Sequence, residues 1–328
     1  MAASAALRSA RAQAVWTRAE LCAADLGRAA HWTTPSLRER VTQALRWPAV
    51  QPLVEPLPPL DTLIAVGGGT LLDQAKLLRW QRHPALRLIA VPSLWGSGAE
   101  SSPVAVINTP AGKEITVDDG LLPEVRVLWP ELLESVPEGR LRQGSGDVWA
   151  HALEGFLSPL AGPELRRELA ALMHRMLAVG LGRDPQWLEL GAQASAGQAR
   201  SSVGLVHGIA HVLESAGAID AAGQRLGHAA LCATWLWPVL RFDEQTSGKV
   251  DHLLAEHALE ATAVWATARA LCDEALNRRL GPLLRAHWPK VLRDRCTRTN
   301  CALVRPSALE FFTAPESCAA PGASGGPA

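Results

Sequence analysis

Thr62-Leu63-Ile64-Ala65-Val66-Gly67-Gly68-Gly69-Thr70-Leu71-Leu72-Asp73-Gln74-Ala75-Lys76 is the stretch that decides the fold. Its first five residues form a short apolar run, which predicts a buried strand of a parallel sheet. Three glycines follow at once. Thr70 to Trp80 (TLLDQAKLLRW) then carries helix formers, with Thr70 placed to cap them. Strand, glycines and helix N-terminus together make a phosphate cradle, because backbone N–H groups point outward and no Cβ blocks a close approach. The spacing is not GxGxxG, so a tight strand-to-helix reversal without a ligand explains the glycines equally well.

On the carboxyl side, Leu86 to Val91 reads as a second buried strand running into Pro92-Ser93-Leu94-Trp95-Gly96-Ser97-Gly98-Ala99-Glu100. Open α/β sheets bind ligands at such strand ends. Val104 to Ile107 and Val125 to Leu128 read as further strands, with Lys113 between them. On the amino side, Ala5 to Gly27 and Ser36 to Trp47 read as Arg/Ala-rich helices, followed by a proline-broken connection to Leu60. Residues 1–130 are therefore expected to form an α/β nucleotide-binding domain with a parallel sheet. Beyond Pro130 helical periodicity takes over, at 163–181, 186–215, 224–241, 250–277 and 279–294. An all-α helical bundle is expected over 131–313, and a disordered Pro/Gly-rich tail over 314–328.

The chemistry-bearing residues fall in the helical half. Gly144-Ser145-Gly146-Asp147-Val148-Trp149-Ala150-His151-Ala152-Leu153-Glu154-Gly155-Phe156 places Asp147 and His151 at i and i+4 on one helix face. A carboxylate and an imidazole one turn apart can share a metal ion if other ligands arrive from elsewhere. His207 and His211 form a second i, i+4 pair, and His228 follows Leu226-Gly227. Asp147, His151, His207 and His228 would make an Asp/His3 site, with His211 close beside it; spacing alone does not separate His211 from a ligand. An ordinary helix-surface contact is the commoner meaning of any one such pair.

Bulk composition narrows the classes. The 32 basic and 32 acidic residues cancel, which argues against a nucleic-acid surface. No apolar run is long enough for a membrane helix. The six cysteines show no CxxC spacing and are expected to be reduced thiols in a cytoplasmic protein. The first nineteen residues hold three arginines and no acid, like a transit peptide, though a plain Arg/Ala-rich helix is the preferred reading.

From Asp61 to residue 294 the chain resembles the iron-containing (group III) alcohol dehydrogenases, relatives of glycerol dehydrogenase and dehydroquinate synthase. Ile64 to Lys76 is similar to the family's strand, triple glycine and Asp/Lys, and Pro92 to Glu100 to its Thr/Gly-rich loop. Gly146 to Glu154 resembles its first metal helix and Val203 to His211 its second. The resemblance implies a dehydroquinate synthase-like fold. It implies a metal-dependent NAD(P)-linked alcohol dehydrogenase or aldehyde reductase, with a small alcohol or aldehyde as substrate. Asp147, His151, His207 and His228 would hold Fe(II) or Zn(II), and His211 would lie beside the nicotinamide as the catalytic residue. Gly67, Gly68, Gly69 and Thr70, with Asp73, would meet the pyrophosphate of NAD or NADP; Ser93, Ser97 and Lys113 would line the nucleotide cleft. A homodimer is one expected assembly, with no nucleic-acid or membrane partner.

The sequence also departs from the family. The region before the glycines is short and shows no clear first strand ending in an acidic residue, the group that normally reads the adenosine ribose. Leu94, Trp95, Ala229 and Trp237-Pro238 replace usual family residues, and Trp95 and Trp149 are expected as pocket walls. Alternatives are a biosynthetic dehydrogenase acting on a hydroxyl of a larger molecule, a non-catalytic scaffold retaining the fold, and a metal-dependent hydrolase or lyase needing no nicotinamide.

Overall fold

A computed structural model describes residues 13–109 and 112–314. Five parallel strands form its sheet in the order β1-β7-β4-β3-β2: β1 (Ala14–Thr17), β2 (Ala29–Thr33), β3 (Thr62–Gly67), β4 (Arg87–Pro92) and β7 (Val125–Leu128). Every residue of β3 is buried, as expected of a strand covered on both faces. Helix α3 (Gly69–Arg82) leaves β3 through Gly68, its N-cap. It is pinned by Lys76, a buried ammonium that donates to Asp73 Oδ1 (2.8 Å) and to the carbonyls of Ala99 (2.9 Å) and Val104.

Two expectations fail in this half. The helix read over Ala5–Gly27 is instead, from residue 14 onward, strand β1, the short helix α1 (Arg18–Ala23) and a turn; residues 5–12 lie outside the described residues. Thr17 ends β1 and caps α1 with a reciprocal Thr17/Glu20 capping box, which stops the helix from extending backward. The strand the sequence reading lacked is β2, Ala-His-Trp-Thr after Ala29, buried at every position. Residues 48–50 cover its outer edge: His31 N–H donates to the Pro48 carbonyl and Val50 N–H to that of His31. The segment over Ser36–Trp47 contains helix α2 (Arg38–Ala44). Val104–Ile107 is a strand as read, but outside the parallel sheet. It lies in β5 (Val104–Thr109), which pairs antiparallel with β6 (Gly112–Val117) in a separate hairpin.

Beyond Pro130 no strand longer than a single bridge occurs among the described residues. The helices are α4 (Glu138–Leu157), α5 (Pro163–Val179), α6 (Gln186–Gln198), α7 (Leu205–Ser215), α8 (His228–Ser247), α9 (Lys249–Glu256), α10 (Ala261–Leu271), α11 (Glu274–Val291) and α12 (Ala308–Thr313). The single stretch expected over 186–215 is thus two helices, parted by residues 199–204. Helices α4 and α8 cross at Gly146, where a Cβ would lie 2.4 Å from that of Ala233, so only glycine permits this approach. Pro238 inside α8 cannot donate to the Thr234 carbonyl; Cys272 Sγ donates there instead, at 3.3 Å. The tail expected to be disordered lies, from residue 315, outside the described residues.

The entry to α7 is fixed from outside the helix. Its orphan N–H groups donate to remote side chains: Leu205 to Asn300 Oδ1 (2.9 Å) and Val206 to Glu154 Oε1 (2.6 Å). Asn300 Nδ2 in turn donates to buried Asp243 Oδ1 at 2.5 Å. Burial, opposed by that hydrogen bond and reinforced by the nearby Glu154 charge, pushes the Asp243 carboxyl up to about 8. The folded state therefore keeps a proton that the unfolded chain releases above its ordinary value of 3.8. Stability contributed here falls as pH rises through that interval and levels off above about 8. Asp243→Asn is expected to lose less stability than the wild type between pH 5 and pH 8 in urea titrations; equal losses would contradict the assignment.

Candidate metal and nucleotide site

Asp147 stands at the centre of the histidine cluster. Its Oδ1 lies 3.8 Å from His151 Nδ1, 3.7 Å from His207 Nε2 and 3.8 Å from His228 Nε2. The four donors arrive on α4, α7 and the first residue of α8. Three of these atoms, Asp147 Oδ1, His151 Nδ1 and His207 Nε2, are buried without a hydrogen-bond partner. Buried polar groups are normally paired, so three orphans facing one point mark a place for a cation. Ligands of a tetrahedral ion held at about 2.1 Å are some 3.4 Å apart, close to these separations. Oxygen and imidazole donors suit Fe(II) or Zn(II) alike.

The remaining imidazole nitrogens are held from behind. His207 Nδ1 lies 2.6 Å from Glu154 Oε2, so it carries the proton and donates it, leaving Nε2 as a lone pair. His228 Nδ1 lies 3.5 Å from Glu214 and 3.4 Å from Lys113 Nζ; His151 hydrogen-bonds the Gly96 backbone. Burial lowers His207 to about 3 and His151 to about 4, although Asp147 pulls both upward. For His228 burial, then the Lys113 charge, lowers it well below the ordinary value. All three imidazoles are neutral near pH 7, the form that binds metal. Glu154 is itself pushed up to about 7 by burial, against its backbone hydrogen bonds.

A cleft of about 520 Å³ joins this cluster to the α/β half. Gly68, Gly69, Thr70, Asp73, Ser97 and Lys113 line it, together with Asp147, His151, His207, His211 and His228. A Cβ on Gly68 would meet nothing within 4 Å, whereas one on Gly69 would strike Ser97 Oγ at 2.3 Å. The first glycine is thus open to the cleft and the second is needed for packing. Two expected cofactor residues are not among those lining the cleft: Gly67 and Ser93, tied together by the Ser93 N–H to Gly67 carbonyl bond. Asp73 lines the cleft, but Lys76 occupies one of its oxygens and Val106 N–H the other at 3.0 Å, so it braces α3 and β5. Lys113 pairs with Glu214 at 2.6 Å, deep beside His228.

His211 is not among Asp147's neighbours at donor distance. Its ring stacks on that of His228, with centroids 5.2 Å apart, and its Nδ1 is 3.5 Å from Asp294 Oδ2. Burial pushes the Asp294 carboxyl up, but the hydrogen bond and charge of His211, with hydrogen bonds from Cys296, together outweigh it and hold the carboxyl below its ordinary range. Trp95 lines the cleft as expected, its Nε1 donating to the Leu141 carbonyl. Trp149 does not: it is buried in the helical core. Sequence reasoning missed Glu154 and Glu214, yet both were visible as spacing. Glu154 is i+7 from Asp147 and Glu214 is i+7 from His207, each on the face of a ligand-bearing helix. Nothing in the sequence pointed to Asp294.

Comparison with known proteins points to one family. A family model described as "Iron-containing alcohol dehydrogenase" matches residues 56–130. A probable alcohol dehydrogenase, EutG, of Escherichia coli K12 is 29% identical over 278 residues, 73% of this chain and 69% of that protein. The chain is similar to the iron-containing alcohol dehydrogenases. The 1-propanol dehydrogenase PduQ of Salmonella typhimurium is 29% identical over 64% of this chain and 56% of its own length. Among solved structures, the iron-containing alcohol dehydrogenase of Thermococcus thioreducens superposes with a TM-score of 0.72 at 18% identity, covering 92% of this chain and 97% of that one. Sulfoacetaldehyde reductase from Bifidobacterium kashiwanohense, solved with NAD+, gives 0.71 at 18% identity over 92% and 96%. The iron-containing alcohol dehydrogenase fold is therefore present nearly end to end. Among the described residues no helix is long and apolar enough to cross a membrane.

Proposed function

We propose that this protein is a metal-dependent, NAD(P)-linked alcohol dehydrogenase or aldehyde reductase acting on a small alcohol or aldehyde. The observation that carries the reading is the set of unpaired buried donors around Asp147 in a cleft that also exposes Gly68 at a helix N-terminus. Asp147, His151, His207 and His228 would hold Fe(II) or Zn(II). Gly68, Gly69 and Thr70 would receive the pyrophosphate on the backbone N–H groups that open α3, with Ser97 beside them.

When bound, the cation would supply Lewis-acid polarisation of a substrate oxygen, and the nicotinamide would supply a hydride donor or acceptor. The chain does the rest. Glu154 fixes His207 in the donor tautomer and orientation, while Lys113 and Glu214 flank His228 Nδ1. His211, with Nδ1 against Asp294, is positioned to move a proton between the substrate hydroxyl and the cleft. Trp95 forms a rigid wall, stacked on Trp187 at 6.3 Å. Strand β2 ends at Thr33 and is followed by Thr34, with no carboxylate at either position, so both NAD and NADP are to be tried.

The test is metal analysis of anaerobically purified protein together with titration by NADH and NADPH, read by tryptophan fluorescence. About one Fe or Zn per chain and saturable quenching by one dinucleotide are expected. Metal-dependent turnover without nicotinamide would replace this reading with a hydrolase or lyase, and absence of both metal and dinucleotide binding would leave a scaffold.

A further inference from the structure

Helix α8 carries a second donor one turn beyond His228. Cys232, at i+4, is fully buried, and its Sγ lies 3.5 Å from His228 Nε2, the nitrogen that faces Asp147. One donor atom each from Asp147, His207, His228 and Cys232 lies within 4.8 Å of all the others. His151, which the family resemblance would make a ligand, is not in that compact set, although its Nδ1 stays 3.8 Å from Asp147 Oδ1.

We infer that Cys232 is a direct donor to the cation held by Asp147, His207 and His228. This rests on the proposed metal site and specifies its chemistry. On binding, the thiol S–H bond breaks, its proton leaves to solvent and the sulfur lone pair forms the bond to M²⁺, with no change in oxidation state. Packing explains the placement less well: a buried cysteine behaves as a small hydrophobe, yet this one touches the polar centre of the helical half. It borders the hydrophobic core shared with Leu231 and Trp235, but its Sγ faces His228 Nε2. A sulfur donor makes the set softer than oxygen and nitrogen alone, which favours zinc over iron(II).

The experiment uses the full chain loaded with Zn(II), and separately with Co(II), and does not depend on turnover. X-ray absorption at the zinc edge is expected to show one sulfur neighbour at about 2.3 Å, and the cobalt form a thiolate-to-metal charge-transfer band in the near ultraviolet. Cys232→Ser should remove both signals and weaken zinc binding by at least roughly tenfold, a direct donor mattering no less than an outer-shell partner. Cys296→Ser, at the cleft but outside that set, should leave the sulfur signal in place. Zinc bound with only nitrogen and oxygen neighbours in the wild type overturns the inference and leaves the proposed function standing. So does a sulfur signal that survives Cys232→Ser. Failure to bind zinc or cobalt at all overturns both. Because the wild-type spectrum alone is decisive, a variant that fails to fold does not blunt the test.

Discussion

Asp147→Asn is expected to reduce bound metal from about one ion per chain to a trace, and turnover by on the order of a thousandfold, since a catalytic cation supplies several kcal/mol of transition-state stabilisation. The substitution keeps the side chain's volume and removes only its charge. Three neutral imidazoles then remain around an amide, a poor partner for a divalent cation. Stability should respond in two opposite ways. Without metal, the wild type buries a carboxylate oxygen that no hydrogen bond reaches, and burying an unpaired charge is costly. The variant's amide can donate to the facing imidazole lone pairs, so metal-free Asp147→Asn should be at least as stable as the metal-free wild type. With zinc at about a thousand times its Kd, the wild type should gain about 4 kcal/mol and the variant nothing. Urea titrations with and without zinc separate these effects. A metal-free variant that unfolds more readily than the metal-free wild type would mean that the carboxylate is a structural brace. Equal zinc stabilisation of both proteins would place the ion elsewhere.

What the sequence disclosed, and what it hid, follows from how local each signal was. The triple glycine and the helix after it were legible because strand, turn and helix are contiguous. The i, i+4 pairs Asp147/His151 and His207/His211 were legible for the same reason, since helical periodicity fixes which residues share a face. Strands β1 and β2 were not. Each has only four or five residues, with three alanines between them, and each is a strand because of the neighbour it pairs with: β7 for the first, β3 and the proline segment at residues 48–50 for the second. Tertiary pairing of that kind overrides local propensity. The Thr17-x-x-Glu20 box was nonetheless readable in the sequence and would have placed the first helix boundary at Arg18. Asp243, Asn300 and Asp294 reach the site from segments whose own patterns carry no chemistry, so only the fold reveals them.

Gly68→Val is expected to abolish dinucleotide binding while leaving the protein folded and its metal in place. Most glycines near the cleft cannot serve as such a probe. A Cβ on Gly69 would strike Ser97, one on Gly144 would lie 2.4 Å from the Trp95 carbonyl, and Gly98 has φ +56° with Ser195 Cβ 2.3 Å from the added atom. Any of these would damage packing, and a loss of activity would mean little. Gly68 differs on both counts. Its φ of −80° and ψ of 178° are extended backbone open to any residue, with β-branched side chains well suited to it. An added Cβ would meet nothing within 4 Å, and the residue lines the cleft. The valine methyls would project where a pyrophosphate must come close to the N–H groups at the start of α3. Losing about 3 kcal/mol of that contact corresponds to on the order of a hundredfold rise in Kd for NADH or NADPH. Thermal unfolding of the metal-free protein should move by no more than a few degrees, and zinc stoichiometry should not change. If the variant binds dinucleotide as the wild type does, the glycines are a strand-to-helix reversal and the cofactor lies elsewhere in the cleft.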